Sequence, residues 1–173
     1  PHVKSSELIN SDDSSCIRCW EQGKSGNDFY KVAKYISEKS LNTIVIQFNY
    51  GFYNFSDLCG FIDQQLNYGR IIVVMMHSTS DPYGETPNWQ LNELQSVFAR
   101  CHRLLAHSVS DLNRLKAIGL IENVALFPLG FLNYSMVDPV EKSEGLPLIA
   151  SYGFCLPHKG LVELVQAIGV LKN

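Results

Sequence analysis

Two groups of residues in this chain have the types and spacing to do chemistry. The first runs Ser151-Tyr152-Gly153-Phe154-Cys155-Leu156-Pro157-His158-Lys159-Gly160 and passes straight into an apolar helical pattern at 161–168. An apolar run at 147–152 predicts a buried strand before it. Strand, Gly-bounded loop and helix start together make an anion site, because unpaired backbone N–H groups and the positive helix end face the loop. Lys159 adds a full charge. The second group stands where predicted strands end: Gln47-Phe48-Asn49-Tyr50-Gly51, then His77-Ser78-Thr79-Ser80-Asp81-Pro82, then His107-Ser108 with Ser110-Asp111. In open α/β sheets, ligands gather at such carboxyl ends. A His there can donate a hydrogen bond to an anion or a sugar hydroxyl, or simply cap a loop. The amides of Gln47 and Asn49, with Gly51, suit a sugar or nucleotide edge and equally suit a turn. His107-Ser108 reads first as a helix cap and turn.

Other chemistries find less support. Gly23-Lys24-Ser25 has the end of a phosphate-binding P-loop, but Arg18 stands where that motif needs its first Gly, so a surface turn is expected. The Gly-x-Ser-x-Gly elbow of Ser hydrolases is absent. No Asp-x-Asp pair marks a metal-bound nucleotide-sugar site, and Asp12-Asp13 and Asp63 read as solvated carboxylates, so no metal is expected. Cys16 and Cys19 form one close pair with no second pair or His at ligand spacing, and are expected to be ordinary thiols. The five scattered cysteines fit a reducing compartment.

The elements that must position these residues alternate along the chain. Short apolar runs at Thr43–Phe48, Ile71–Met76, 104–107, 124–127 and 147–152 read as parallel strands covered on both faces. Between them lie helical patterns at 28–39, from Ser56 to Gly69, at 88–100, and from a Ser110 cap to Gly119. A further strand is expected at 3–9. This order implies an α/β protein with a parallel sheet and right-handed crossovers. Polar residues at 133–145 read as a linker. It separates a first domain at 1–132 from the opening strand–helix unit of a second at 146–173.

With 173 residues, 46% of them hydrophobic, one good core can be built. A net charge of −3 gives no electrostatic case for nucleic acid. No apolar run is long enough to span a bilayer. The chain opens on Pro1 and reads as a piece of something longer.

Taken together, the strand-end motifs resemble those of retaining glycosyltransferases of family 4, whose GT-B fold pairs two Rossmann-like domains. Gln47 to Gly51 resembles the family's Gln-(His/Phe)-(Glu/Asn)-Tyr-Gly strand end, and His77 its strand-terminal catalytic-site His. The segment 105–119 is similar to the last strand–helix unit of the first domain. Asn123 to Gly130 looks like the Pro-His-Gly hinge, with Leu129 in place of His. Gly153 to Gly160 resembles Gly-Arg-Leu-x-x-x-Lys-Gly, with Phe154 in place of Arg.

The resemblance implies an α/β, parallel-sheet, Rossmann-like three-layer fragment of a GT-B fold. Its parent would transfer a hexose from a nucleotide sugar, as substrate rather than cofactor, to a glycan or lipid-linked acceptor. The setting would be cytoplasmic, with peripheral association at the inner membrane face. His77 would contact the transferred sugar or its phosphate, and Gly153 and Lys159 would hold the donor diphosphate. Gln47, Asn49, Gly51, Ser108 and His158 are the further candidates for binding substrate, His158 as a replacement for the missing Arg. The family's Gly-rich loop and Glu-x7-Glu segment are not in this sequence, so the chain alone is expected to have little activity. A non-catalytic nucleotide or sugar-phosphate binding module and a GT-B nucleotide-sugar epimerase are the alternatives.

Overall fold

The computed structural model describes residues 16–17, 19–20, 22–23, 26–82, 90–130, 149–153 and 159–171. The chain divides into two compact units, Pro1–Phe131 and Leu132–Asn173. The expected strand at 3–9 and linker at 133–145 lie outside the described residues, as do Phe154 and His158.

In the first unit, two short antiparallel strands, β1 (Gln22–Gly23) and β2 (Gly26–Asn27), flank the Gly-Lys-Ser segment. Lys24 and Ser25 themselves lie outside the described residues. The body of the unit is a four-stranded sheet in the order β3 (Thr43–Phe48), β4 (Ile71–Met76), β5 (Arg103–Ala106) and β6 (Val124–Leu126). Every pairing in it is parallel. Parallel neighbours need crossover connections, and helices supply them: α2 (Phe55–Asn67), the short α3 (Gln95–Phe98) and α4 (Val109–Ala117), with α1 (Tyr30–Glu38) leading into β3. This is the α/β, Rossmann-like class expected from the alternating pattern.

Register assigns the faces. Ile46, Val74, Leu104 and Val124 stand side by side, as do Phe48, Met76, Ala106 and Leu126. Side chains from these rows join Ile36, Leu58, Phe61, Ile62, Val97, Phe98 and Leu115 of the helices in one buried cluster. α2 contributes at positions 55, 58, 61, 62 and 65, the stripe that a 3.6-residue period presents to a sheet. The other face is covered less: Val45 is 53% and Ile71 43% exposed, and Val73, Met75 and Leu105 are half-buried. A four-stranded parallel sheet with flanking helices is the arrangement expected of a Rossmann-like three-layer fold.

Several boundaries differ from the sequence reading, each for a local reason. α2 is capped by Asn54, whose side chain accepts from the Asp57 N–H at 3.1 Å, and not by Ser56. α4 is capped by Ser108, which accepts from the Asp111 N–H at 3.1 Å, and not by Ser110. In both cases the residue in extended backbone just before the first turn wins, because its oxygen can reach the third helical N–H. The pattern at 88–100 is a 3-10 turn, Leu91–Leu94, followed by α3, with 88–89 outside the described residues. Its four apolar positions are all buried, which the tighter turn also allows.

Helix ends follow one scheme. After α2, Gly69 (φ +74°) closes the helix as the Arg70 N–H bonds the Gln65 carbonyl. After α4, Gly119 (φ +86°) does the same as Leu120 bonds Leu115. After α1 the same turn is made by Ser40 at φ +51°, with Leu41 bonded to Ile36.

In the second unit, Ile149 to Gly153 form no strand, contrary to expectation, and 147–148 lie outside the described residues. α5 (Leu161–Leu171) follows Gly160 (φ +68°), and the Leu164 N–H bonds the Gly160 carbonyl at 2.9 Å. None of its residues is buried. A strand of four or five residues needs a ladder partner, and no described residue pairs with this one.

Candidate functional site at the carboxyl end of the sheet

Three adjacent strands deliver polar side chains to one end of the sheet. Gln47 is the penultimate residue of β3, and His77 follows the last residue of β4. The His77 N–H extends the ladder by donating to the Phe48 carbonyl at 3.0 Å. That fixes the backbone of both residues, and their side chains meet: His77 Nε2 lies 2.5 Å from Gln47 Oε1. With the amide oxygen as acceptor, Nε2 carries the proton and Nδ1 keeps its lone pair. His107 follows β5, and its ring lies 5.1 Å from that of His77, centroid to centroid, at 46°. His107 Nδ1 lies 2.9 Å from the Phe127 carbonyl oxygen, just past β6. A carbonyl can only accept, so Nδ1–H donates. His107 Nε2 is buried and has no hydrogen-bond partner.

A second polar cluster lies beside this one. Thr79, 5% exposed, donates from its hydroxyl to Asp111 Oδ1 at 2.5 Å and accepts from Arg114 Nη1 at 3.2 Å. Arg114 also reaches Asp111 Oδ1 at 3.0 Å, and Ser108 donates to Oδ2 at 2.5 Å. Desolvation alone would push the Asp111 carboxyl up. The Ser108 and Thr79 hydroxyls, the Arg114 charge and the Ser108 backbone outweigh it and hold the carboxyl below its ordinary value. Further along the same connection, Asp81 Oδ1 accepts from the Tyr50 hydroxyl and from the Leu91 N–H, both at 2.8 Å. Burial, then that hydrogen bond and the Asp81 charge, push the Tyr50 phenol well above its usual range. Thr79, Asp81, Leu91 and Arg114 line a cavity of about 720 Å³ that His77 does not border.

The remaining expected residues divide. Asn49 caps the 3-10 turn Tyr50–Phe52, accepting from the Gly51 N–H at 3.2 Å, so both serve the turn reading. Ser108 is the α4 cap as well as an Asp111 donor. Gln47 also lines an apolar cavity of about 290 Å³ with Trp20, Phe29, Tyr53 and Phe61 along the β3 edge. In the second unit, Gly153 has φ +132°, a backbone that L side chains rarely adopt, and Lys159 is exposed immediately before α5. No carboxylate among the described residues pairs with Lys159. Among the described residues, no three His, Cys, Asp or Glu side chains gather as metal ligands. No described helix is long and apolar enough to cross a membrane.

Sequence reasoning missed His107 as a neighbour of His77, and missed the Thr79–Asp111–Arg114 cluster. The signal was available in part: each residue follows a predicted strand end or opens the helix after one. What the sequence lacks is the register that puts those ends side by side. Fold and site together define an α/β, Rossmann-like protein with its polar groups at the carboxyl edge of a parallel sheet. Comparisons with models of protein families, with curated proteins and with solved structures found no match.

Proposed function

We propose that this chain is part of a cytoplasmic retaining glycosyltransferase that moves a hexose from a nucleotide sugar to a glycan or lipid-linked acceptor. The observation that carries the reading is the Gln47–His77 contact of 2.5 Å at adjacent strand ends. It joins two motifs that the resemblance to family 4 treats as parts of one substrate site. In this reading His77 contacts the transferred sugar. Its imidazole is oriented by Gln47, which leaves a ring nitrogen to meet the ligand. Cleavage of the sugar–phosphate bond sends its electron pair to the diphosphate. The resemblance would give the task of stabilising that charge to Lys159 and the α5 N-terminus of the second unit. The less covered face of the sheet supports the further reading that the first unit is the later part of a domain, since parallel sheets are ordinarily buried on both sides.

A second reading is a binding module that holds a nucleotide or sugar phosphate without turning it over. Phe154 favours it, because it removes one of two cations expected at the diphosphate. The separating experiment assays the full-length parent for release of nucleoside diphosphate from UDP-, GDP- and ADP-sugars, beside His77→Ala and Lys159→Ala. Loss of a charge-assisted hydrogen bond worth about 2–3 kcal/mol predicts a drop of about 30- to 160-fold in kcat/KM for Lys159→Ala. His77→Ala should cost at least as much. Turnover unchanged in both variants refutes the site. Donors bound but never consumed favour the binding module.

A further inference from the structure

We infer that His107 is a second ligand-contacting imidazole of the carboxyl-end site, accepting a hydrogen bond at Nε2 from a sugar hydroxyl. Its tautomer is set from behind. The Phe127 carbonyl takes the Nδ1 proton at 2.9 Å, so the neutral ring presents a lone pair at Nε2. That atom is buried and unpartnered, in a protein whose other buried side-chain polar groups among the described residues are paired. Gln65 accepts from Arg70 at 2.6 Å, and Asn123 donates to the carbonyls of Phe98 and Cys101. A buried acceptor left unpaired costs free energy and calls for a partner, which a ligand hydroxyl supplies.

The neighbouring ring defines what fits. His77 gives its Nε2 proton to Gln47 and keeps a lone pair at Nδ1. In their neutral forms the two imidazoles, 5.1 Å apart, both offer acceptors. Phosphate oxygens are acceptors too and gain nothing from such a pair. Hydroxyl groups are donors, and a ligand with two neighbouring hydroxyls can serve both rings. His77 is exposed and its side chain meets Gln47 and the His107 ring, so its rotation changes what the His107 ring meets, and exposed side chains rotate fast. The site is thus built for the polyol part of a ligand and not for its phosphate. The choice of a sugar over another polyol rests on the glycosyltransferase reading. The acceptor chemistry does not.

The test is a ¹⁵N imidazole spectrum of the full chain at neutral pH, titrated separately with glucose 1-phosphate and with inorganic phosphate. The expected result is a His107 ring protonated at Nδ1, whose Nε2 resonance moves towards the protonated position with glucose 1-phosphate and stays fixed with phosphate. A proton on Nε2 without ligand, an equal response to phosphate, or no response to the sugar phosphate overturns the inference. His107→Phe removes the acceptor, and His107→Gln restores an amide oxygen near the Nε2 position. The first should weaken glucose 1-phosphate binding about tenfold and the second should recover most of it. Equal binding by both, or equal weakness in two variants that melt like the wild type, contradicts it. If a variant does not fold, the wild-type titration decides. Should His107 stay silent while the parent releases nucleoside diphosphate, this inference falls and the proposed function stands.

Discussion

Replacing Asp111 should loosen the carboxyl edge by a predictable amount and in a predictable pH window. The carboxylate joins three elements: the connection after β4 through Thr79, the α4 cap through Ser108, and α4 itself through Arg114. In Asp111→Ala the Thr79 hydroxyl, in a residue 5% exposed, loses its acceptor, at a cost of about 1–3 kcal/mol. Loss of an acidic group from the first turn of α4 adds about 0.3–1 kcal/mol. The Arg114 pair is 49% exposed on the Arg side and adds little. The sum is about 2–3 kcal/mol, or a fall in Tm of about 8–12 °C for a unit of this size. Asp111→Asn keeps an acceptor for Thr79 and loses the charge, so about a third of that fall is expected. The pH dependence has a definite sign. The folded carboxyl is held below its ordinary value near 3.9, so its charge-dependent stabilisation is complete above that pH. It is lost as pH falls through the lower folded value. Circular-dichroism melts of the three proteins from neutral pH into acid read both effects, and the wild type and Asp111→Asn should converge as pH drops. A Tm for Asp111→Ala within about 2 °C of wild type at neutral pH would refute the reasoning. So would a gap between wild type and Asp111→Asn that does not narrow in acid.

The helix ends make a matched pair of tests by thermal melting. Gly119→Ala should lower stability by about 1–2 kcal/mol, because φ is +86° there and the new Cβ would stand 3.0 Å from Gln95 Nε2. Ser40→Gly, at the equivalent position after α1, should raise stability by up to about 1 kcal/mol. The opposite order, or two changes of the same sign, would contradict the assignment of both turns. Burial, only partly offset by the nearby Arg100 charge, pushes the Cys101 thiol up to about 12, so Cys101 should resist alkylation at pH 8 until the protein unfolds. Exposed Cys16 should react in the folded state, as mass spectrometry of labelled peptides would show.

Much of the first unit is legible because burial leaves a period. Ile71–Met76 reads as a strand in the sheet for the physical reason that it is one: it has a strand on each side, and Ile72, Val74 and Met76 are buried under the helices. The α2 stripe is visible for the same reason at Leu58, Phe61 and Ile62, while Phe55 and Gln65, which extend it, are not. Caps were misplaced by two residues at Ser56 and Ser110 because several hydroxyls and amides cluster at each helix start, and composition cannot say which one sits in extended backbone. The polar site is harder still. That Gln47 reaches His77, or Thr79 reaches Asp111, depends on strand register and on connections across thirty positions or more. Nothing local encodes that. His107 shows the limit most clearly: its neighbour in sequence is a cap, and its neighbour in space is the other imidazole.

The central claim is that the parent transfers a hexose with its anomeric configuration kept. Proton NMR of the first product formed by the full-length protein, from a matching nucleotide sugar and a saccharide acceptor, tests this most directly. The account predicts a glycoside with the same anomeric configuration as the donor and formation suppressed in His77→Ala. An inverted product, or a product formed equally well without His77, would contradict it.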